Sequence, residues 1–213
     1  MIIIIDGSER DQHPELIDEM HKLRARVFKD RLGWDVTVVN GRERDRFDDL
    51  SPLYVIAVGL GGQVVGSLRA LQTTGPTMLG EVFSELLPPG EVVRSPLMWE
   101  STRFNIDMDY AARRGDGAVS QITSELLCGL AEVGVAAGLT HIVSVYDILM
   151  ERVLKRAGAD PVRLAPPKRI GGVMTVAGTF ELTQRLLDQL HGRAHLPVPT
   201  VGHHDLQRLG FVA

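Results

Sequence analysis

Apolar residues Leu16, Met20, Leu23, Val27 and Leu32 recur at steps of three to five just behind His13-Pro14, so the spacing predicts an amphipathic helix over residues 14–32. On such a helix Arg24 and Phe28 lie one turn apart and share a face, and a turn at Gly33 then delivers Trp34 close by. Ahead of it, the run Ile2-Ile3-Ile4-Ile5 reads as a strand, at an edge or in the centre of a sheet. Residues 35–51 are polar and without period, which predicts a loop. Apolar stretches over 53–58 and 63–71, separated by Gly59-Leu60-Gly61-Gly62, predict a pair of strands with a tight turn, Arg69 near the end of the second. Residues 97–106 read as a buried strand that nonetheless holds Glu100 and Arg103. In an unbroken strand these two face opposite ways, so they serve separate contacts or a bulge re-aims one of them. A long helical pattern over 116–138, a strand over 140–146 and a helix over 147–157 predict a βαβ unit. A strand over 173–176 and a helix over 179–190 follow, and residues 194–213 form a tail of weak character.

The chain has 213 residues, 44% hydrophobic and 23% charged, so one large domain with an ordinary packed core is the simplest organisation. Cys128 is the single cysteine and sits in an apolar stretch, as a small buried hydrophobe in a reducing compartment would. The N-terminus lacks the basic region of a signal peptide, and no apolar run approaches the roughly 20 residues needed to cross a bilayer. A cytoplasmic protein with no membrane insertion is expected. A formal net charge of -4 argues against broad nucleic-acid binding, which needs a basic footprint.

Several familiar signals lead nowhere. His195, His203 and His204 have no second cluster of metal ligands beside them and read as surface residues, so no metal is expected. Gly59-Leu60-Gly61-Gly62 lies between strands, where a dinucleotide loop would not. Ser144 and Tyr146 lack a locally supported His partner for hydrolase chemistry. Arg113-Arg114-Gly115-Asp116-Gly117 precedes a helix and nearly matches the pyrophosphate loop of acetyl-CoA-dependent N-acetyltransferases, but Ala112 stands where those enzymes place Gln or Arg. It remains a helix N-terminus able to meet an anion.

The informative feature is an uneven set of charged and aromatic residues: Arg24, Phe28, Trp34, Glu43, Asp45, Asp48, Arg69, Glu100 and Arg103. Drawn from segments that otherwise read as amphipathic helix and buried strand, they predict a charged pocket for a small zwitterionic or cationic ligand. Their settings are Leu23-Arg24-Ala25-Arg26-Val27-Phe28, Leu32-Gly33-Trp34, Glu43-Arg44-Asp45-Arg46-Phe47-Asp48, Val65-Gly66-Ser67-Leu68-Arg69 and Trp99-Glu100-Ser101-Thr102-Arg103-Phe104. In order and spacing these resemble the LuxI-type acyl-homoserine-lactone synthases of bacterial quorum sensing. Phe83, in Leu79-Gly80-Glu81-Val82-Phe83, and the stretch Leu154-Lys155-Arg156-Ala157-Gly158 extend the resemblance.

The resemblance implies an α/β, N-acetyltransferase-like (GNAT-like) single domain: a twisted mixed sheet with helices on both sides, a cleft where central strands splay, and an acyl tunnel. It implies that S-adenosylmethionine is condensed with an acyl carrier protein thioester, or with acyl-CoA in some members, giving an acyl-homoserine lactone and methylthioadenosine without a cofactor. The methionyl amine, with a typical pKa of about 8, must lose a proton before attacking the thioester. Glu100, with Glu43 and Arg103, is the catalytic candidate for holding the amine or assisting that step, and a backbone carbonyl with water is the alternative. Backbone N–H groups near Arg103 and Phe104 are placed for the oxyanion. Phe28 and Trp34 suit the sulfonium and adenine, with Arg24, Asp45, Arg103 and Phe104 completing the S-adenosylmethionine site. Asp48 and Arg69 form a cleft ion-pair network or touch the ligand directly. Phe83 and Ser144 are assigned to the acyl pocket, the Ser144 hydroxyl facing a β-carbonyl. Arg152, Lys155 and Arg156 either dock the acidic carrier protein or form a solvated helix face. A GNAT-like N-acyltransferase using acetyl-CoA and a non-catalytic S-adenosylmethionine-binding module are the competing readings.

Overall fold

In the computed structural model, which describes residues 1–194 and 199–212, the chain forms ten strands and seven α-helices. In chain order they are β1 (Ile2–Asp6), α1 (Pro14–Arg24), β2 (Val38–Val39), β3 (Arg42–Glu43), β4 (Leu53–Val58), β5 (Val64–Gln72), α2 (Met78–Glu81), β6 (Met98–Ile106) and α3 (Met108–Arg114). The second half adds α4 (Ala118–Ala136), β7 (His141–Asp147), α5 (Ile148–Ala157), β8 (Val162–Arg163), β9 (Lys168–Ile170), β10 (Val173–Glu181), α6 (Gln184–Ala194) and α7 (His203–Arg208). Eight strands make one mixed sheet in the order β1-β4-β5-β6-β7-β10-β8, with β9 also paired to β10, while β2 and β3 form a separate hairpin. Every pairing is antiparallel except β6 with β7. That parallel pair is joined by α4, as a crossover requires. Pairing runs only from Met98 opposite His141 to Ser101 opposite Ser144, although both strands continue. Beyond Ser101 the two strands no longer pair, and this fork marks the cleft.

Both faces of the sheet are covered, which is why residues 53–58 read as an unbroken apolar run. Tyr54, Ile56 and Val58 meet Met20, Leu23, Val27 and Phe28 from α1 and its extension. Leu53, Val55 and Ala57 point the other way, into the larger core with Ile122, Leu126, Leu130 and Val133 of α4. The approach of α4 is close: a Cβ on Gly66 would stand 3.0 Å from the Asn105 carbonyl and 3.1 Å from Leu126 Cδ1. A third cluster, Leu79, Leu86, Leu87, Val143 and Ala177 with Phe83 against it, lies beside the cleft.

Several expectations need correcting. The helix predicted over 14–32 changes character at Ala25 and runs to Arg31 as a π-helical turn. Residues 35–51 hold the β2–β3 hairpin and a 3₁₀ turn over Arg46–Leu50, stabilised by ion pairs and a cap that have no hydrophobic period to announce them. The last long strand continues to Glu181 instead of giving way to helix at 179, because Phe180 packs on Tyr146 in the core. Its helix starts only after Thr183, whose hydroxyl accepts the Leu186 N–H at 3.2 Å. The short strands β8 and β9 were not anticipated, and the final stretch carries α7, with Phe211 against Trp99 and Val201 fully buried. The first strand lies at the sheet edge. Among the described residues no helix is long and apolar enough to cross a membrane.

Leu126 is fully buried where α4 lies on β5. Leu126→Ala is expected to lower stability by about 2–5 kcal/mol, seen as a lower urea midpoint with an unchanged m-value. A loss well under 1 kcal/mol would mean that α4 does not depend on this contact.

Candidate active site

Two local irregularities build the site. The first ends α1. The Leu32 N–H reaches back to the Val27 carbonyl at 3.0 Å, closing the wide π turn, and Gly33 follows at φ +64°, the left-handed conformation that stops a helix. The Trp34 N–H then bonds the Phe28 carbonyl at 2.8 Å, which folds the indole over the phenyl ring with centroids 5.0 Å apart and planes 11° from parallel. Phe28 is buried and Trp34 is 44% exposed, so the stack is a shelf with one open side.

The second irregularity is a β-bulge. Ser67 pairs with Asn105 and Arg69 with Thr102, so Arg103 and Phe104 together oppose only Leu68. Arg103 takes φ +55°, unfavourable for a side-chain-bearing residue, and Asn105 holds it there. The Asn105 Nδ2 donates to the Arg103 carbonyl at 2.8 Å, the Ser67 hydroxyl at 2.8 Å and the Ser67 carbonyl at 3.2 Å. Both alternatives left by the sequence are found: the strand bulges, and Glu100 and Arg103 serve separate contacts.

Between these features lies a continuous buried ion network. Arg24, 1% exposed, donates Nε to Glu43 at 2.6 Å and grips Asp48 with both terminal nitrogens at 2.8 and 3.0 Å. Asp48 also meets Arg69 at 2.9 Å and accepts from the Tyr54 hydroxyl at 3.0 Å and the Asp45 N–H at 2.9 Å. Arg69 reaches Asp45 at 2.5 and 3.1 Å, and Arg103 joins through Asp45 at 2.7 Å and Glu43 at 3.1 Å. The Arg103 guanidinium lies 5.5 Å from the centre of the Phe28 ring, linking the network to the aromatic shelf. Glu43 Oε1 and Arg103 Nε are buried without a hydrogen bond, so the network retains unmet polar capacity.

The sequence profile of the family described as Autoinducer synthase matches residues 8–190, from the first turn after β1 into α6. The chain belongs to the autoinducer synthase family. It is 35% identical over 200 residues to the acyl-homoserine-lactone synthase of Agrobacterium fabrum (strain C58), covering 94% of this chain and 95% of that one. The crystal structure of the AHL synthase LasI superposes with a TM-score of 0.80 at 38% identity, covering 90% and 94% of the two chains. That of the CoA-dependent acyl-homoserine lactone synthase BjaI with SAM and isopentyl-CoA gives 0.83 at 26%, covering 99% and 98%. N-acyltransferases of known structure share the fold at TM-scores of 0.56 and 0.53, so the architecture is GNAT-like.

In this autoinducer synthase Arg24, Phe28, Trp34, Glu43, Asp45, Asp48, Arg69 and Arg103 come together as one unit. Glu100 stands apart from their ion pairs: fully buried on β6, its oxygens accept the Met78 N–H at 2.8 Å and the Leu79 N–H at 2.6 Å. Burial pushes its carboxyl above the ordinary value against the opposing pull of those two amides. The Phe104 side chain packs towards the α4 core, leaving only its backbone near Arg103. Phe83 and Ser144 do not share a pocket wall. Phe83 packs with Val143 and Val145, whereas Ser144 alternates with them, lies on the face of Ile142 and Tyr146, and donates its hydroxyl to the Ser101 carbonyl at 2.8 Å. On α5, Arg152, Lys155 and Arg156 are exposed, and Lys155 pairs with the buried Glu151 at 3.0 Å. His203 and His204 are exposed on α7, and His195 lies outside the described residues.

Five site residues escaped the sequence reading. Tyr54, Thr102, Met78, Asn105 and His21 all touch the network or its supports. Thr102 accepts Arg69 Nε at 3.1 Å, Met78 offers its sulfur to Arg69 at 3.3 Å and Arg103 at 3.7 Å, and His21 Nδ1 lies 2.8 Å from the Glu43 carbonyl. Burial holds the His21 pKa below its ordinary value, which favours the neutral ring donating to that carbonyl. Only Tyr54 carried a signal, a lone hydroxyl in an otherwise apolar strand.

Burial acts to raise the Asp48 carboxyl, but Arg24 and then Arg69 outweigh it and hold it well below the usual carboxylate range. A depressed folded-state pKa stabilises the fold above the unfolded value of about 3.9, and that stability drains away as pH falls towards the folded-state value. Asp48→Asn is therefore expected to cost about 3–5 kcal/mol near neutral pH, since Arg24 and Arg69 lose their shared anion. The gap between the two proteins should narrow as pH drops below about 4, measured as urea midpoints across pH. A gap of constant size would mean that Asp48 is not ionised in the folded protein.

Proposed function

We propose that this autoinducer synthase makes an acyl-homoserine lactone by joining S-adenosylmethionine to an acyl chain delivered as an acyl carrier protein thioester. The observation that carries this reading is the half-open Phe28–Trp34 stack standing over Arg103 at the edge of a buried carboxylate network. Glu43, Asp45 and Asp48 balance Arg24, Arg69 and Arg103 in charge, so the network can meet both the carboxylate and the cationic groups of S-adenosylmethionine. The stack suits the adenine and the sulfonium, by faces worth about 0.5–2 kcal/mol each.

In the first step the deprotonated amine attacks the thioester carbon, a nitrogen–carbon bond forms, and the carrier thiol leaves with a proton. Glu43, whose Oε1 lies 3.1 Å from Arg103 but accepts no hydrogen bond, is the candidate for holding the amine or its proton. In the second step a carboxylate oxygen of the methionyl part attacks the carbon beside the sulfonium, that carbon–sulfur bond breaks, and methylthioadenosine departs. Arg103 orients the carboxylate, and its sharing between Glu43 and Asp45 keeps it from neutralising the attacking oxygen. The gap between β6 and β7 gives the acyl chain its way in, beside Leu79, Phe83 and Val143.

Release of methylthioadenosine is expected only when both S-adenosylmethionine and an acyl thioester are present. Product from acetyl-CoA and a simple amine, with none from this pair, would sink the reading. A carrier-protein donor is supported by α5, where exposed Arg152 and Arg156 flank exposed Val153. Reversing both arginine charges should raise the apparent KM for the carrier-protein thioester and leave that for S-adenosylmethionine nearly unchanged, an effect that added salt should mimic. Equal turnover of the matching CoA thioester, indifferent to both changes, would make CoA the donor.

A further inference from the structure

Asp45 and Asp48 combine backbone amides with arginines, whereas Glu100 is held by backbone amides and by no ion pair among the described residues. Each oxygen takes one N–H, from Met78 at 2.8 Å and Leu79 at 2.6 Å, the first two residues of α2. At the start of a helix these donors have no partner within the helix itself, so Glu100 caps α2 from across the sheet. Thr77 completes the cap by accepting the Gly80 N–H at 3.0 Å. The residues so anchored look two ways. Met78 places its sulfur against Arg69 and Arg103, while Leu79, with Phe83 and Leu86 just beyond, packs on Val143 and Ala177 beside the cleft. Among the described residues Glu100 makes no ion pair, and no part of it is exposed.

We propose that Glu100 is a positioning residue that fixes the Thr77–Phe83 segment through the Met78 and Leu79 amides, and thereby sets which acyl chain lengths the apolar wall accepts. The proposal rests on the function assigned above and departs from a proton-transfer role for the same carboxylate. Its chemistry is specific to two acceptors. A glutamine has one oxygen and one NH₂, so whichever way it turns, a donor faces a donor at Met78 or Leu79. One amide is orphaned, the segment shifts, and the wall of Leu79 and Phe83 moves with it. A pocket that separates chains by a methylene or two does so by fit, and a displaced wall changes that fit.

The test is a competition among straight-chain acyl thioesters that differ by two methylenes, with products counted by mass spectrometry for the native protein, Glu100→Gln and Thr77→Ala. In Glu100→Gln the ratio of kcat/KM between neighbouring chain lengths should move by about tenfold or more. The KM for S-adenosylmethionine should stay within about twofold of the native value. Hydrogen-exchange protection at the Met78 and Leu79 amides should fall by about tenfold or more. Thr77→Ala, which loosens the same turn and leaves Glu100 intact, should move the product ratio in the same direction by less. A uniform fall in kcat of about a hundredfold or more at every chain length, with ratio and protection unchanged, would overturn the proposal and return Glu100 to proton transfer. If Glu100→Gln does not fold, Thr77→Ala decides, and an unchanged ratio there overturns the proposal equally. A native protein that makes no lactone from any thioester would refute the assigned function instead. Amide protection then tests the anchoring by itself, and its persistence in Glu100→Gln would overturn that.

Discussion

The structure turns on one buried guanidinium. Arg24 sits at the end of α1 with 1% of its surface exposed, and an arginine so placed is tolerable only if anions meet it from several sides. Glu43 and Asp48 do so from the hairpin and the 3₁₀ turn of a segment with little hydrophobic content of its own. That segment is therefore held by charge together with one apolar anchor, Phe47 against Leu71 and Met78. Removing either carboxylate leaves a desolvated cation, and removing the cation leaves two crowded anions, so the arrangement is kept whole. Buried ion pairs of this kind are poor sources of net stability compared with apolar packing, and their value lies in fixing one geometry.

That geometry propagates through the two irregular stretches of backbone. The π turn keeps Phe28 inward after Arg24 has been spent on the network, and Gly33 then returns Trp34 over it. The bulge brings Arg103 to the same side and places its guanidinium between Asp45, Glu43 and the Phe28 ring. The bulge carries local strain at Arg103, and each feature has a dedicated restraint: the Trp34 N–H to the Phe28 carbonyl in one case, the threefold hydrogen bonding of Asn105 in the other. Strain with such restraints belongs to a preorganised ligand site more than to a framework. It also accounts for the cleft, because β6 bulges immediately after the last residues that pair with β7.

What was legible in the sequence divides along physical lines. Apolar periodicity gave the helices, the long strands and the βαβ crossover, since each of those elements is built by burial, and burial leaves a period. The membership of the charged set was legible because arginines and carboxylates in apolar settings demand partners. Who partners whom was not. Glu100 and Arg103 are three residues apart on one strand, yet one caps a short helix and the other closes an ion network, a division decided by the bulge and by where α2 happens to start. Phe83 and Ser144 lie on opposite faces of the sheet for the simplest reason, alternation along β7. Residues 35–51 and Thr179–Glu181 lack a clear period because the first is ordered mainly by ion pairs and the second by pairing with β7 and the burial of Phe180.

The two halves of the site thus obey different physics. On the Arg24 side the charges are fixed and cannot relax without leaving one of them bare, so under the proposed function a ligand is accepted there by charge pattern and orientation. On the Phe83 side the contacts among Leu79, Leu86, Val143 and Ala177 are apolar, and a shift of a few tenths of an ångström changes their fit without breaking anything. The halves meet at α2, where Met78 touches the arginines, Leu79 touches the apolar wall, and their adjacent N–H groups end on the same carboxylate. Glu100 is consequently the point at which the rigid half sets the position of the adaptable one.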